Sequence, residues 1–136
     1  MENCIFCKIV KGEIPAHKIY EDKATLAFLD ISPVNIGHVL VIPKEHHANI
    51  FEIPEKALLE VVRTVKTVSH AVKKGLNADG INVTMNNEPA AGQVVFHLHI
   101  HIIPRNVNDG FHHWKGKRDY QEGEKEIVTE KITKAL

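Results

Sequence analysis

Between Phe96 and Ile103 the chain alternates without a break: Phe96-His97-Leu98-His99-Ile100-His101-Ile102, with Ile103 closing the run. Side chains along a strand point to opposite faces in turn, so Phe96, Leu98, Ile100 and Ile102 share one side, and His97, His99 and His101 the other. At roughly 3.3 Å per residue the imidazoles stand about 6.5–7 Å apart. The apolar side has to dock on a core, while the other presents a row of rings on a rigid support.

The cover for that apolar side is the segment from Pro54 to Gly75. Leu58, Val61, Val62, Val65, Val68, Val72 and Leu76 recur at steps of three and four, the spacing of one helix face. Pro54 suits the first helical turn and Gly75 the C-terminal cap, and Lys73 and Lys74 sit where the helix dipole favours cations. Residues 17–21 and 25–29 read as a hairpin around Asp22-Lys23, and residues 38–42 as a strand closed by Pro43. Residues 81–86 form a further strand, and 94–103 a long one closed by Pro104. Residues 5–11 predict a short helix stopped by Gly12, and the tail beyond Tyr120 a second with a weaker pattern. Strand pairs with one long helix between them predict an α+β fold, an antiparallel sheet backed by a helix. No repeat or linker interrupts residues 1–136, so a single domain is expected.

Lys plus Arg number 17 and Asp plus Glu 17, a net charge of zero that argues against a nucleic-acid partner while allowing one small anion held locally. No apolar run approaches the roughly 20 residues that span a bilayer, so no membrane partner is expected. The Met1-Glu2-Asn3-Cys4 start lacks the features of a signal peptide. Cys4 and Cys7 are the two cysteines, too close together for a disulfide framework; they suit a metal or redox pair in a reducing compartment. The cytoplasm is the expected location.

Ten residues are His, an unusual share for the side chain most used for metals and for catalysis near neutral pH. A neutral imidazole attacks phosphorus, its cation donates to phosphate oxygens, and neighbouring rings divide such tasks. A solvated histidine row and a three-histidine hydrolytic zinc site are the competing readings. Three rings spread over roughly 13 Å of one strand cannot all reach an ion at about 2.0–2.1 Å, so the zinc alternative needs a ligand from elsewhere.

The run His97-Leu98-His99-Ile100-His101-Ile102-Ile103 resembles the signature of the histidine triad (HIT) family of nucleotide hydrolases and transferases, closest to small bacterial-type members similar to the Hint hydrolases. Cys4-Ile5-Phe6-Cys7-Lys8-Ile9, Phe28-Leu29-Asp30-Ile31-Ser32-Pro33, the segment from Gly37 to Lys44, and the segment from Asn86 to Arg105 are similar to further blocks of that family, in its order. The resemblance implies a five-stranded sheet with one long helix and short terminal helices, dimerising with its sheet continued across a two-fold axis. It implies that His99 attacks the α-phosphorus of a purine nucleotide conjugate, a phosphoramidate or dinucleoside polyphosphate, forming a transient nucleotidyl-histidine, with no cofactor needed for the chemical step. His101 and His38 complete the catalytic cluster. Asp30 accepts from the ribose hydroxyls, and Ile5, Phe6, Phe28 and Ile31 line the base pocket.

By the same resemblance Asn86 and Gln93 are amide donors to the phosphate, and the loop ending at Gly92 brings backbone N–H groups to it. Val94 departs from the family pattern, in which Ser or Thr often follows the Gln, and an altered substrate preference or slower turnover is expected. Cys4, Cys7, His46 and His97 resemble a structural zinc set, with His47 as the alternative to His46. A nucleotide-binding regulatory module with vestigial hydrolysis is the alternative function. His112-His113-Trp114, with residues 115–118, reads either as a tail covering the sheet edge or as a segment reaching the active site or a partner copy.

Overall fold

Thr25 through Phe28 and Val39 through Pro43 are buried residue by residue, which demands cover on both faces of the strands they form. The computed structural model describes residues 3–112, 114 and 116–136. Its elements in chain order are α1 (Ile5–Val10), β1 (Lys18–Glu21), β2 (Thr25–Leu29), β3 (Val39–Pro43), α2 (Glu55–Gly75), β4 (Gly80–Thr84), β5 (Ile100–Arg105) and α3 (Glu124–Thr133). A short 3-10 turn at Pro89–Ala91 lies between β4 and β5. The five strands form one sheet in the order β1-β2-β3-β5-β4, and every neighbouring pair is antiparallel. The α+β architecture is the expected one.

Alternation sorts the strand residues into two cores. Ala27, Val39, Val41, Leu98, Ile100 and Ile102 meet Val61, Val65, Val68 and Val72 of α2. On the opposite face Leu26, Phe28, Leu40 and Ile42 meet Phe6 and Ile9 of α1. A six-residue helix is marginal by itself, so α1 persists because the sheet accepts Phe6 and Ile9.

The sequence-predicted strand 94–103 begins only at Ile100 and continues through Pro104 to Arg105. Residues 95–97 are bent, and Leu98 donates its N–H to the His47 carbonyl at 2.7 Å instead of to a strand. Phe96, expected inside, is 45% exposed. Pro104 is tolerated within β5 because β3 pairs no farther than Ile102, so the missing N–H faces no partner strand there. Helix α2 starts one residue after Pro54, and the left-handed turn beyond it is made by Asn77 (φ 51°), not Gly75. Val62 and Leu76 lie off the core face, each 49% exposed. Leu76 instead folds over Gly37, whose φ of +96° turns the chain into β3. There a Cβ would collide with the Leu76 side chain. Helix α3 buries none of its residues, and Trp114 is 82% exposed, so Trp114 does not cover a sheet edge; His113 and Lys115 lie outside the described residues.

Candidate functional site

The face of the sheet that carries α1 also carries the rings. Leu40 of β3 pairs with His101 of β5, so His101 faces the α1 side, and Phe6 of α1 lies edge-on to His99 with ring centroids 5.2 Å apart. Between α1 and β2 opens a cavity of about 490 Å³, lined mainly by apolar side chains and by Asp30, His99 and His101. Ile5, Phe6, Phe28 and Ile31, which the resemblance puts around a base, all line it. Ile14, Ala16 and Leu40 also line it.

Each ring's second nitrogen decides what the first can do. His99 Nδ1 lies 2.7 Å from the His97 carbonyl, which can only accept. Nδ1 therefore carries the proton, and Nε2 holds a lone pair free to attack. His38 Nδ1 receives the Val34 backbone N–H at 3.1 Å, which places the His38 proton on Nε2. That Nε2–H donates to His101 Nδ1 at 2.8 Å, leaving His101 with an N–H on Nε2. A ring with a free lone pair and a ring with a free N–H thus lie side by side, with ring centroids 5.0 Å apart.

Burial pushes His101 down to about 4, helped by His99 and His38; burial also lowers His38, against the pull of Asp30. Both rings are neutral at pH 7, as the hydrogen-bond chain requires. Asp30 accepts the Ser32 N–H at 2.8 Å on one oxygen, and its other oxygen lies 3.7 Å from His38 Nε2. Asp30, His38 and His101 come within 4.8 Å of one another, yet the proton between the two rings occupies the place a cation would need.

A second cluster lies behind the first. His97 is fully buried and donates Nε2–H to the Pro43 carbonyl at 2.8 Å, so Nδ1 keeps its lone pair. That nitrogen faces Cys4 Sγ at 3.4 Å and Cys7 Sγ at 3.6 Å, and Cys7 Sγ lies 3.4 Å from His46 Nδ1. A tetrahedral zinc with Zn–S of about 2.3 Å and Zn–N of about 2.0–2.1 Å has S···N edges of about 3.5 Å, which these separations match. Burial and then Cys4 raise the Cys7 thiol, and burial pushes His97 down to about 4. A divalent cation converts that cost of clustering into ligation. The residues fit zinc, which here would tie α1 to the sheet. His46, not His47, faces the cluster; the carbonyl of His47 accepts from Leu98.

The remaining candidates lie outside the cavity. Gln93 is buried with both amide hydrogens on the carbonyls of Ala48 (2.7 Å) and Val95 (3.1 Å), while its oxygen takes the Glu88 N–H (2.9 Å). It is engaged in pinning the loop, not in donating to a phosphate as expected. Asn86 makes a long 3.5 Å contact with the Gly92 carbonyl, and Gly92 adopts the left-handed φ of +87° that its loop demands. Val94 is 85% exposed.

A model of the HIT domain matches residues 11–108. The chain is 44% identical over 138 residues to Protein hit of Bacillus subtilis (strain 168), covering 99% of this chain and 95% of that protein. It is 45% identical over 107 residues to adenosine 5′-monophosphoramidase HNT1 of Candida albicans, covering 76% of this chain and 70% of the relative. Among solved structures, SMU.412c from Streptococcus mutans UA159 superposes with a TM-score of 0.94 at 41% identity, covering 99% of this chain and 86% of that one. A zinc-bound histidine triad family protein from Mycobacterium smegmatis superposes at 0.78 and 35% identity, covering 99% of both. With its triad on the site face of the sheet and its whole length matched by such relatives, the chain belongs to the HIT family.

Proposed function

We propose that the chain, acting as a single HIT domain over residues 1–136, hydrolyses purine nucleoside monophosphate conjugates at the α-phosphorus, with phosphoramidates as the favoured class. The observation that carries this reading is the His97 carbonyl on His99 Nδ1, which leaves a lone pair on Nε2 at the mouth of an apolar cavity. The phosphoramidase named among the relatives supports the substrate class. The base sits against Phe6 and Phe28, and the ribose hydroxyls donate to the free oxygen of Asp30.

His99 Nε2 forms a bond to phosphorus as the P–N bond to the leaving group breaks, and the departing amine takes a proton from solvent. The resulting imidazolium is steadied by the His97 carbonyl on Nδ1, while His101 Nε2–H donates to a phosphoryl oxygen. Water then attacks phosphorus and gives up a proton to solvent, the His99 nitrogen leaves with its electron pair, and the monophosphate departs. No resident metal enters this scheme. Zinc on Cys4, Cys7, His46 and His97 would have a structural part. Among the described residues no helix is long and apolar enough to cross a membrane, and the cytoplasm is the proposed location.

Rapid-quench mass spectrometry of the protein mixed with adenosine 5′-phosphoramidate tests this. The expected result is a transient adduct of one AMP on the peptide carrying His99, and a His99→Ala rate lower by about four orders of magnitude. Tight AMP binding with neither adduct nor turnover would instead identify a binding module.

A further inference from the structure

We propose that Asn35 is a positioning residue, holding the His38–His101 pair in register through a brace made with Arg105 and Asp109. The inference deepens the hydrolase reading above, and its kinetic part rests on that reading. His101 keeps its N–H on Nε2 only while His38 donates to its Nδ1. His38 in turn keeps its proton on Nε2 only while the Val34 N–H occupies the other side of its ring. Val34 lies in the loop between Asp30 and His38. On that loop Ile31 and Ile36 are 95% and 84% exposed, so these side chains give it no core of its own. Polar contacts have to hold it.

Asn35 supplies them. Its Nδ2 donates one hydrogen to the Pro104 carbonyl at 2.9 Å and the other to Asp109 Oδ2 at 3.0 Å, while its own carbonyl accepts the His38 N–H at 3.0 Å. Pro104 lies in β5 beyond His101, so this one side chain ties the His38 loop to the strand that carries the partner ring. Asp109 is itself fixed. Arg105 donates to both of its oxygens, at 2.7 and 2.8 Å, and also reaches Asn82 of β4 at 2.7 Å and the Phe111 carbonyl at 2.8 Å. Arg105 holds the Asp109 carboxyl well below the usual carboxylate range against the opposing effect of burial, so it stays an acceptor for Asn35. The two side chains are only 17% and 10% exposed. Burying an ion pair contributes little net stability, whereas a bidentate one fixes geometry. Asn35, Arg105 and Asp109 are not among the residues lining the cavity, so the brace reaches the chemistry through the loop. Asp30 takes its loop hydrogen bond from Ser32, at 2.8 Å, whereas His38 takes its own from Val34, next to Asn35. Loss of the brace therefore falls on the His38 ring.

The test reads the rings and the rate separately. In nitrogen NMR spectra of histidine-labelled protein, parent His38 is expected to show a bare Nδ1 and a protonated Nε2. Asn35→Ala should show the averaged signals of a ring exchanging between tautomers. With adenosine 5′-phosphoramidate, Asn35→Ala should lower kcat about tenfold and change KM less than about twofold. Asp109→Asn, which keeps the shape but removes the charge that Arg105 grips, should lower kcat about threefold. In a His38→Ala background the Asn35→Ala change should cost less than about twofold, because the ring it positions is gone. Parental His38 signals in Asn35→Ala, with kcat within about twofold of the parent, would overturn the brace. So would an equal loss with and without His38, or a loss carried wholly by KM. A parent that releases no AMP would bring down the hydrolase reading instead, and the nitrogen spectra of Asn35→Ala would then decide the brace by themselves.

Discussion

The histidines of the row differ in role because their second nitrogens meet different partners. A carbonyl fixes the proton of His99, the ring of His38 fixes that of His101, and the Pro43 carbonyl fixes that of His97. Their types and spacing were legible in the sequence; the proton positions were not, since they depend on Val34, Pro43 and His38, distant in sequence or outside the motif. The arrangement has a consequence for stability. His101 is held neutral by burial, with His99 and His38 adding to the effect and Asp30 opposing it, and its pKa falls from 6.5 to about 4. Below pH 6.5 the unfolded chain therefore takes up a proton that folded His101 refuses until about pH 4, and stability drops as pH falls through that window. The loss from His101 amounts to about 2–3 kcal/mol by pH 4. Urea titrations at pH 7, 5.5 and 4.5 check this: His101→Gln should show a shallower decline than the parent, and equal slopes would refute the account.

Among the elements, α2 was the easiest to read, because a long amphipathic face leaves a period that tertiary packing does not disturb. Residues 94–99 misled for a physical reason. Strict alternation marks an extended chain, but not one paired with a neighbour, and here the Leu98 N–H goes to the His47 carbonyl while His97 turns under Pro43. The bend serves the cysteine–histidine cluster, which joins α1 to the sheet. Since α1 also supplies Ile5, Phe6 and Ile9 to the cavity wall, the cysteine–histidine cluster and the cavity share one short helix. Stripping zinc with a chelator should lower Tm by about 10 °C and weaken AMP binding several-fold, and Cys7→Ser should do the same without chelator. Metal analysis checks the premise: near one zinc per chain is expected, together with a coloured cobalt derivative. Less than a tenth of an equivalent of metal would remove the cluster's assigned role.

For the whole molecule the open question is what covers the sheet's outer strand. Among the described residues β4 has β5 as its one strand partner, which leaves its other side a sheet edge, and Val83 on it is 50% exposed. Proteins rarely leave such an edge bare. On α2, Leu59 and Val62 are 58% and 49% exposed, apolar positions turned away from the core. A second copy would answer both needs, since a two-fold axis beside β4 would let the two edges pair antiparallel while the α2 ridges meet, burying the apolar positions of both protomers. The resemblance to the HIT family suggested such a dimer from sequence, but no residue pattern displayed it, because a lone half-exposed valine on a strand is ordinary for any surface. Sedimentation velocity should therefore give a species of about twice 15.3 kDa. Val62→Glu, which places a carboxylate on the ridge, should weaken dimerisation at least about tenfold while leaving the helix intact by circular dichroism. A parent protein that stays monomeric at micromolar concentration would show that the edge is protected in another way, and the exposed residues of α3 would be the next to examine.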